Sequence, residues 1–579
     1  MPTPAARRAF LARCAELGLG ASAVPTVLWA RAEAGLDVTR DTIRAAEELV
    51  GVQYGDAERD LMLETLKQQR GQVEALRKVA LPNAVLPAVR FDPRLPGWTP
   101  PAPARRRRVS RVALPDVRDG DPSLAWRPVT ELSALLVARR ITSRGLTELA
   151  LDRLRRLDPT LHCVVTLLED RALARADAAD AELRAGRRRG PLHGIPWGAK
   201  DLLAVAGAPT TWGAAPYREQ RFNEDAEVVR RLDAAGAVLV AKLSLGELAQ
   251  GDTWFGGQTR NPWNPAQGSS GSSAGSASAV AAGCVPFAIG SETLGSISSP
   301  ATRCGVTGLR PTFGRVPRTG AMALSWTMDK LGPLARSVED CALVLEAIHG
   351  ADGRDPVAVS YPFVWDAERP LAELRVGVAR AVFDLPATEL RDGKPAPVHA
   401  TKPFDDAALE VLGRLGARLT DVTFPDAPYA AMRLVLMVEA AAAFDELVRG
   451  GDAARLAQQG AFNWPNTLRA ARFIPGLDYV NAMRARTLAM EAWDRLFRDV
   501  DVIVVPTGAM GNPQLVATNL TGHPAVIVPN GLAPTSDADP TPTPVSLTFL
   551  GRLHGEADLL RVAHAYQQAT AFHRARPPV

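Results

Sequence analysis

From Glu33 to Leu81 apolar residues recur at spacings of three and four, in "DTIRAAEELVGV" and "ERDLMLETLKQQRGQVEALRKVAL", which predicts helix. Between Pro82 and about Asp121 proline and arginine interrupt that period, and the pattern predicts a tether or wrapping arm. Periodicity returns near Arg127. "VTELSALLVARRI" and "SRGLTELALDRLRRLD" predict two helices, the second capped by Ser143 and stopped by Pro159. A further helix is predicted from Asp170 to Gly186, and another from Asn223 to Gly236. The run "AVLVA" that follows is apolar at every position, as suits a strand buried on both faces. "VPFAIG" (Val285 to Gly290) and "VDVIVVPT" (Val500 to Thr507) repeat that signature. Helices alternating with such strands predict an α/β body on a largely parallel or mixed central sheet, with no internal repeat.

The first 32 residues follow another pattern. Arg7 and Arg8 precede Phe10 and Leu11, then a weakly apolar stretch from Leu17 to Ala30 and small residues around Ala30 and Ala32. That order predicts a secretory signal of the twin-arginine type, and so a periplasmic or extracellular protein; an amphipathic N-terminal helix is the competing reading, because Glu16 interrupts the apolar run. No other segment approaches the roughly 18 apolar residues that span a bilayer, so no stable membrane anchor is expected.

Charge and cysteine content narrow the function. The net charge of +4, from 67 basic and 63 acidic residues, is small for 579 residues and argues against a nucleic-acid surface. The run Arg105 to Arg108 reads as part of a solvated linker. The five cysteines form no CxxC pair and no metal-ligand spacing with the histidines, so neither a zinc site nor a disulfide framework is expected.

The candidate chemistry lies in "GSSGSSAGSASAVAAG", Gly268 to Gly283. Composition alone reads it as a flexible linker; the alternative is a crowded backbone carrying reactive serines. Residues 271–275 satisfy the G-x-S-x-G nucleophile elbow around Ser273, but that motif needs a buried strand before it, and "RNPWNPAQGSS" supplies none. After the tract come a short helix, a buried strand and a second small-residue turn, Ser291 to Ser299, so the two serine-bearing turns can fold back on one another.

"GIPWGAKD" (Gly194 to Asp201), the Gly/Ser tract, "SETLGSISSPA" and "CGVTGLRPTFGRV", in that order, resemble the amidase signature family of amide hydrolases, over roughly Arg127 to Pro577. The resemblance implies an α/β/α layered sandwich with a large mixed central sheet over residues 127–579, with residues 33–126 as an arm and linker outside it. It also implies a Ser-Ser-Lys triad: Lys200 as base, Ser272 as bridging serine in a cis Gly271-Ser272 peptide, and Ser296 as nucleophile. Ser272 and Ser296 stand 24 positions apart, as the family spacing requires. The backbone N–H groups of Thr293, Leu294, Gly295 and Ser296 are implied as the oxyanion hole. No cofactor or metal is implied; the expected partners are a small-molecule amide and a second copy of the chain as a homodimer.

Other assignments compete. Lys242, after "AVLVA", matches Lys200 on pattern alone, and a Ser-His-Asp triad through His193 or His523 is open. The nucleophile segment "ETLGSIS" departs from the common Asp-Thr-Gly-Gly-Ser-Ile-Arg at Glu292, Leu294 and Ser298 and resembles the peptide-amidase-like subgroup. Residues 355–498 are expected to supply much of the pocket, through "EAAAAFDELVR" and aromatic walls such as Trp464 and Tyr479. An amidotransferase component of the glutamyl-tRNA type and a catalytically silent binding protein on the same fold are the alternative functions.

Overall fold

The computed structural model describes residues 38–579 apart from 105, 392–393, 510–511 and 537; the predicted export segment, residues 1–32, lies outside them. Two arm helices come first. Helix α1 (Arg40–Val50) starts where the Thr39 hydroxyl accepts the Thr42 N–H and ends at Gly51, whose φ of 71° is left-handed. Helix α2 (Asp56–Leu76) is tied to it by a shielded ion pair, Arg59 to Glu47 at 2.7 Å. Among the described residues from Pro82 to Asp121 the chain has no helix and runs over the body. It is pinned on the way: Phe91 meets Phe313 edge-on at 5.1 Å, Arg94 donates to the Tyr361 hydroxyl at 2.8 Å, and Arg108 forks onto Asp366 at 2.7 Å.

The body is built on one sheet of 11 strands. Along the chain these are β1 (Val164–Leu167), β2 (Pro196–Lys200), β3 (Val238–Leu243), β4 (Phe287–Glu292), β5 (Thr307–Arg310) and β6 (Lys330–Ala335). β7 (Arg375–Val378), β8 (Arg418–Asp421), β9 (Val502–Pro506), β10 (Ala525–Ser536) and β11 (Asp539–Gly551) complete it. Their spatial order is β1-β3-β2-β4-β6-β5-β10-β11-β9-β7-β8. β2 runs parallel to both β3 and β4, β7 parallel to β8 and β9, and the remaining pairs are antiparallel, so the sheet is mixed as expected. Every residue of β2, β3, β4 and β9 is buried, and in β3, β4 and β9 burial on both faces explains the apolar runs "AVLVA", "VPFAIG" and "VDVIVVPT".

The flanking helices include α3 (Val129–Val137), α4 (Ser143–Leu161), α5 (Glu169–Arg184) and α6 (Glu227–Ala234). α4 corrects two expectations. Its cap is Thr142, whose hydroxyl accepts the Gly145 N–H at 2.9 Å, while Ser143 instead donates to the Gly194 carbonyl at 2.9 Å. It also runs through Pro159 to Leu161, because burial of Leu161 holds the last turn in place. α6 starts four residues later than predicted: the Ala226 and Glu227 N–H groups are taken by the carbonyls of Ala204 and Thr319, at 2.8 and 3.0 Å.

Candidate active site

Lys200 is the last residue of β2 and is fully buried. Its Nζ lies 2.8 Å from Ser272 Oγ, 3.0 Å from Ser273 Oγ and 2.9 Å from Ser291 Oγ. Among the described residues no carboxylate pairs with it, and burial holds its pKa well below the ordinary lysine range against the weaker pull of Asp329 and Glu292. A neutral amine has one lone pair, so one of the three hydroxyls can donate to it.

Lys242, the rival on pattern, has a different fate. Its Nζ pairs with Asp201 Oδ1 at 2.6 Å and donates to Thr210 Oγ1 at 2.9 Å; burial lowers its pKa too, but the Asp201 carboxylate, which Lys200 lacks, opposes that and occupies the amine. The histidines stand apart from the serine cluster. His193 accepts the Arg189 N–H at 3.1 Å and faces Glu182 at 3.3 Å, and His523 bonds Thr521 at 2.8 Å and stacks on Phe497. Neither partners a serine of the cluster.

The Gly/Ser tract is not a spacer. It leaves a short strand at Gly268, turns through Ser270 with φ of 60° and a cis Gly271-Ser272 peptide, and enters helix α7 (Ala274–Ala281), every residue of which is buried. Small residues are needed because the backbone is packed against the body. A Cβ on Gly275 would stand 2.5 Å from both the Cys163 carbonyl oxygen and the Ser244 nitrogen. Ser273, the residue of the elbow motif, accepts the Ser291 N–H at 3.2 Å and bonds the Ser291 carbonyl at 3.1 Å, bracing the end of β4 beside Lys200.

The second turn follows β4 and leads into helix α8 (Ser298–Cys304). Its backbone is fixed by Glu292, whose Oε2 accepts the N–H groups of Ile297 and Ser298 at 2.9 and 2.8 Å and the Ser298 hydroxyl at 2.8 Å. Oε1 accepts from Arg310 and Asn519, both at 2.8 Å. Burial pushes this carboxyl up, but the Arg310 guanidinium outweighs it and brings the pKa to about 2. The departures at Glu292 and Ser298 are therefore partners. Gly295, with φ of 91°, lets the chain reverse. Among the described residues no group accepts from the N–H of Thr293, Leu294, Gly295 or Ser296, although the next two N–H groups are both held. The two turns meet where the Ser273 N–H donates to the Ser296 carbonyl at 3.0 Å.

The composition of the tract did not indicate three of the supporting groups. Ser291 is visible as a polar residue ending a buried strand. Thr293 Oγ1 donates to Asp329 Oδ1 at 2.5 Å, and Asp329 Oδ2 accepts the N–H groups of Leu324 and Ser325 at 2.8 and 2.9 Å. Asp329 and Arg310 lie too far along the chain for local pattern to link them to the site.

A cavity of about 910 Å³ opens beside Ser291, Thr293 and Asp329. Residues 442–447 line it, as expected of "EAAAAFDELVR". Trp464 and Tyr479 do not: the Trp464 indole donates to the Leu248 carbonyl at 3.0 Å and the Tyr479 hydroxyl to Glu439 at 2.9 Å, so both are spent on holding helices together. The aromatic wall comes instead from Trp212, Tyr217, Phe222, Trp326 and Phe444.

Most of the chain resembles known proteins. The family model described as Amidase matches residues 145–560. The A-type component of the glutamyl-tRNA(Gln) amidotransferase of Chloroflexus aurantiacus is 35% identical over 492 residues, covering 78% of this chain and 98% of that protein. The putative amidase AmiD of Mycobacterium tuberculosis is 33% identical over 503 residues, covering 81% and 99%. The native peptide amidase from Stenotrophomonas maltophilia superposes with a TM-score of 0.67 at 34% identity, covering 79% of this chain and 99% of that one.

Proposed function

This chain belongs to the amidase family and is a hydrolase of carbon–nitrogen bonds in amides, and we propose that it works through an acyl-enzyme on Ser296 with Ser272 and Lys200 as proton relay. Neutral Lys200 accepts the Ser272 proton across 2.8 Å while Ser272 accepts that of Ser296. Ser296 Oγ attacks the amide carbon, and the oxygen that becomes negative is met by the free N–H groups of residues 293–296. Collapse expels the amine, which takes its proton back from Lys200 through Ser272. Water then attacks the ester by the same relay in reverse and releases the acid.

The observation that carries this reading is the row of four unengaged N–H groups on a turn whose next two N–H groups are both bonded, beside a buried lysine surrounded by hydroxyls. Donors fixed before the reaction need no reorganisation as charge develops, and losing one typically costs about 2.7–4 kcal/mol of barrier. The same feature weighs against a silent binding protein, which has no need to hold such donors free.

The test is a panel of primary, aryl and peptide C-terminal amides given to the full chain, with released ammonia and amine measured. Turnover of at least one class, falling about 10⁴-fold or more in Ser296→Ala, is expected. No turnover, or equal turnover by the variant, contradicts the proposal. The relatives named as amidotransferase components favour a second reading, in which ammonia passes to an acceptor within a larger assembly. Ammonia transfer that appears only with added partner proteins would support it.

Residues 1–32 carry the proposed export signal, supported by Arg7 and Arg8 ahead of the apolar stretch. A folded reporter fused behind them is expected outside the cytoplasm, and Arg7→Lys/Arg8→Lys is expected to retain it inside; equal export of both contradicts the assignment. A homodimer is the proposed assembly, since two-fold pairing is the commonest form of soluble oligomer, and light scattering of the purified chain reads it.

A further inference from the structure

We propose that the N-terminal arm forms one wall of the substrate cavity, so that the enzyme selects an amide bearing a bulky apolar group. The proposal rests on the amide-hydrolase reading of the site and deepens it. The family match begins at residue 145, yet Val73, Leu76, Val79, Leu81 and Leu86 all line the same cavity as Ser291 and Thr293. Trp212, Phe222, Met322, Trp326 and Phe444 of the body line it as well. Leu76 and Leu81 are left largely uncovered by protein, at 68% and 60% exposed. A row of apolar groups facing a cavity gains free energy when an apolar ligand covers it.

The arm is seated with precision relative to the reacting atoms. The Asn83 amide donates to the Ala323 carbonyl and accepts the Ala323 N–H, both at 2.8 Å. The next two N–H groups, of Leu324 and Ser325, are held by Asp329, which in turn holds the Thr293 hydroxyl. One continuous chain of hydrogen bonds thus links the arm to the turn that carries Ser296. Three cations of the wall already have carboxylate partners: Arg318 is held by Asp355 at 3.0 Å, Arg354 by Glu224 at 2.9 Å and Arg449 by Asp445 at 2.6 Å. The apolar side chains are therefore what the arm adds to recognition.

The experiment compares 4-phenylbutyranilide with acetanilide, which release the same aniline, as kcat/KM on the full chain. Wild type is expected to prefer the bulky anilide. In Leu76→Asp/Leu81→Asp the ratio of the two values is expected to fall about tenfold or more, the scale of a lost apolar contact in a pocket. Leu61→Asp, an equally polar change on α2 outside the cavity, is expected to leave the ratio unchanged. Should the double aspartate variant fail to fold, Leu76→Ala/Leu81→Ala and Asn83→Ala read the same ratio, each with a fall of about threefold. Binding of 4-phenylbutyranilide to Ser296→Ala, by calorimetry, separates this proposal from the hydrolase reading. Weaker binding on adding the arm substitutions, with no turnover by wild type, upholds the wall and sinks the hydrolysis. An unchanged ratio and unchanged binding, or a wild type that turns over both anilides without favouring the bulky one, overturns the wall.

Discussion

Lys200 and Lys242 end the same stretch of sheet on adjacent strands, both fully buried, and their chemistry is decided by one neighbour. Lys242 has the Asp201 carboxylate at 2.6 Å; Lys200 has three serine hydroxyls. A buried ammonium without a counter-ion is costly, and the lysine releases its proton instead. Because the neutral form is the one that accepts a proton, activity is expected to fall on the acid side as Lys200 becomes protonated. Asp329 and Glu292 both raise that pKa. Asp329→Asn removes the larger of these influences and is expected to move the acid limb of the rate profile to lower pH; an upward or absent shift contradicts the role given to Lys200. Glu292 is a test of structure. Glu292→Ala leaves Arg310 buried without its partner, a change of the kind that typically costs about 3–5 kcal/mol, and a fall in Tm checks it.

Elements explain why a tract composed like a linker is rigid. Helix α7 lies wholly inside the body, and its small residues are what allow the serine turn before it to reach Lys200. Gly275→Ala would push a methyl to 2.5 Å from two backbone atoms, and destabilisation of about 1–3 kcal/mol or more is expected, read as a lower denaturant midpoint. An unchanged midpoint would show that the tract yields. Strands β3, β4 and β9 were legible because burial on both faces leaves a continuous apolar signal, and the two serine turns were legible as small-residue segments flanking one helix and one strand. Local pattern failed where distant chain intervened. Ala226 and Glu227 spend their N–H groups on carbonyls of Ala204 and Thr319 in place of a first helical turn, and Trp464 spends its indole on Leu248 in place of the pocket. The family resemblance, rather than periodicity, separated Lys200 from Lys242, since both follow apolar runs.

The whole molecule couples a mixed sheet of 11 strands to an arm that the family match does not cover. Its stability is expected to depend on acid. Burial holds His523 at about 3 and His349 and His554 at about 4, below their ordinary 6.5. Groups with depressed folded values contribute stability that is fully present above 6.5 and is lost as pH falls toward 4. Asp340, raised by burial to about 7, works in the opposite sense over part of that window, as do the buried carboxyls of Asp329, Asp405 and Glu247, while His573, held at about 3, and the lowered His193 and His564 act with the three histidines. Tm is therefore expected to fall between pH 7 and pH 4.5; a rise over that range would contradict the burial of these histidines. The most direct test of the central claim is the intact mass of the full chain after treatment with a fluorophosphonate, followed by peptide mapping. One adduct on Ser296, absent from Ser296→Ala and strongly slowed in Lys200→Ala, is the predicted result. An adduct on Ser273, or equal labelling of wild type and Ser296→Ala, would contradict it.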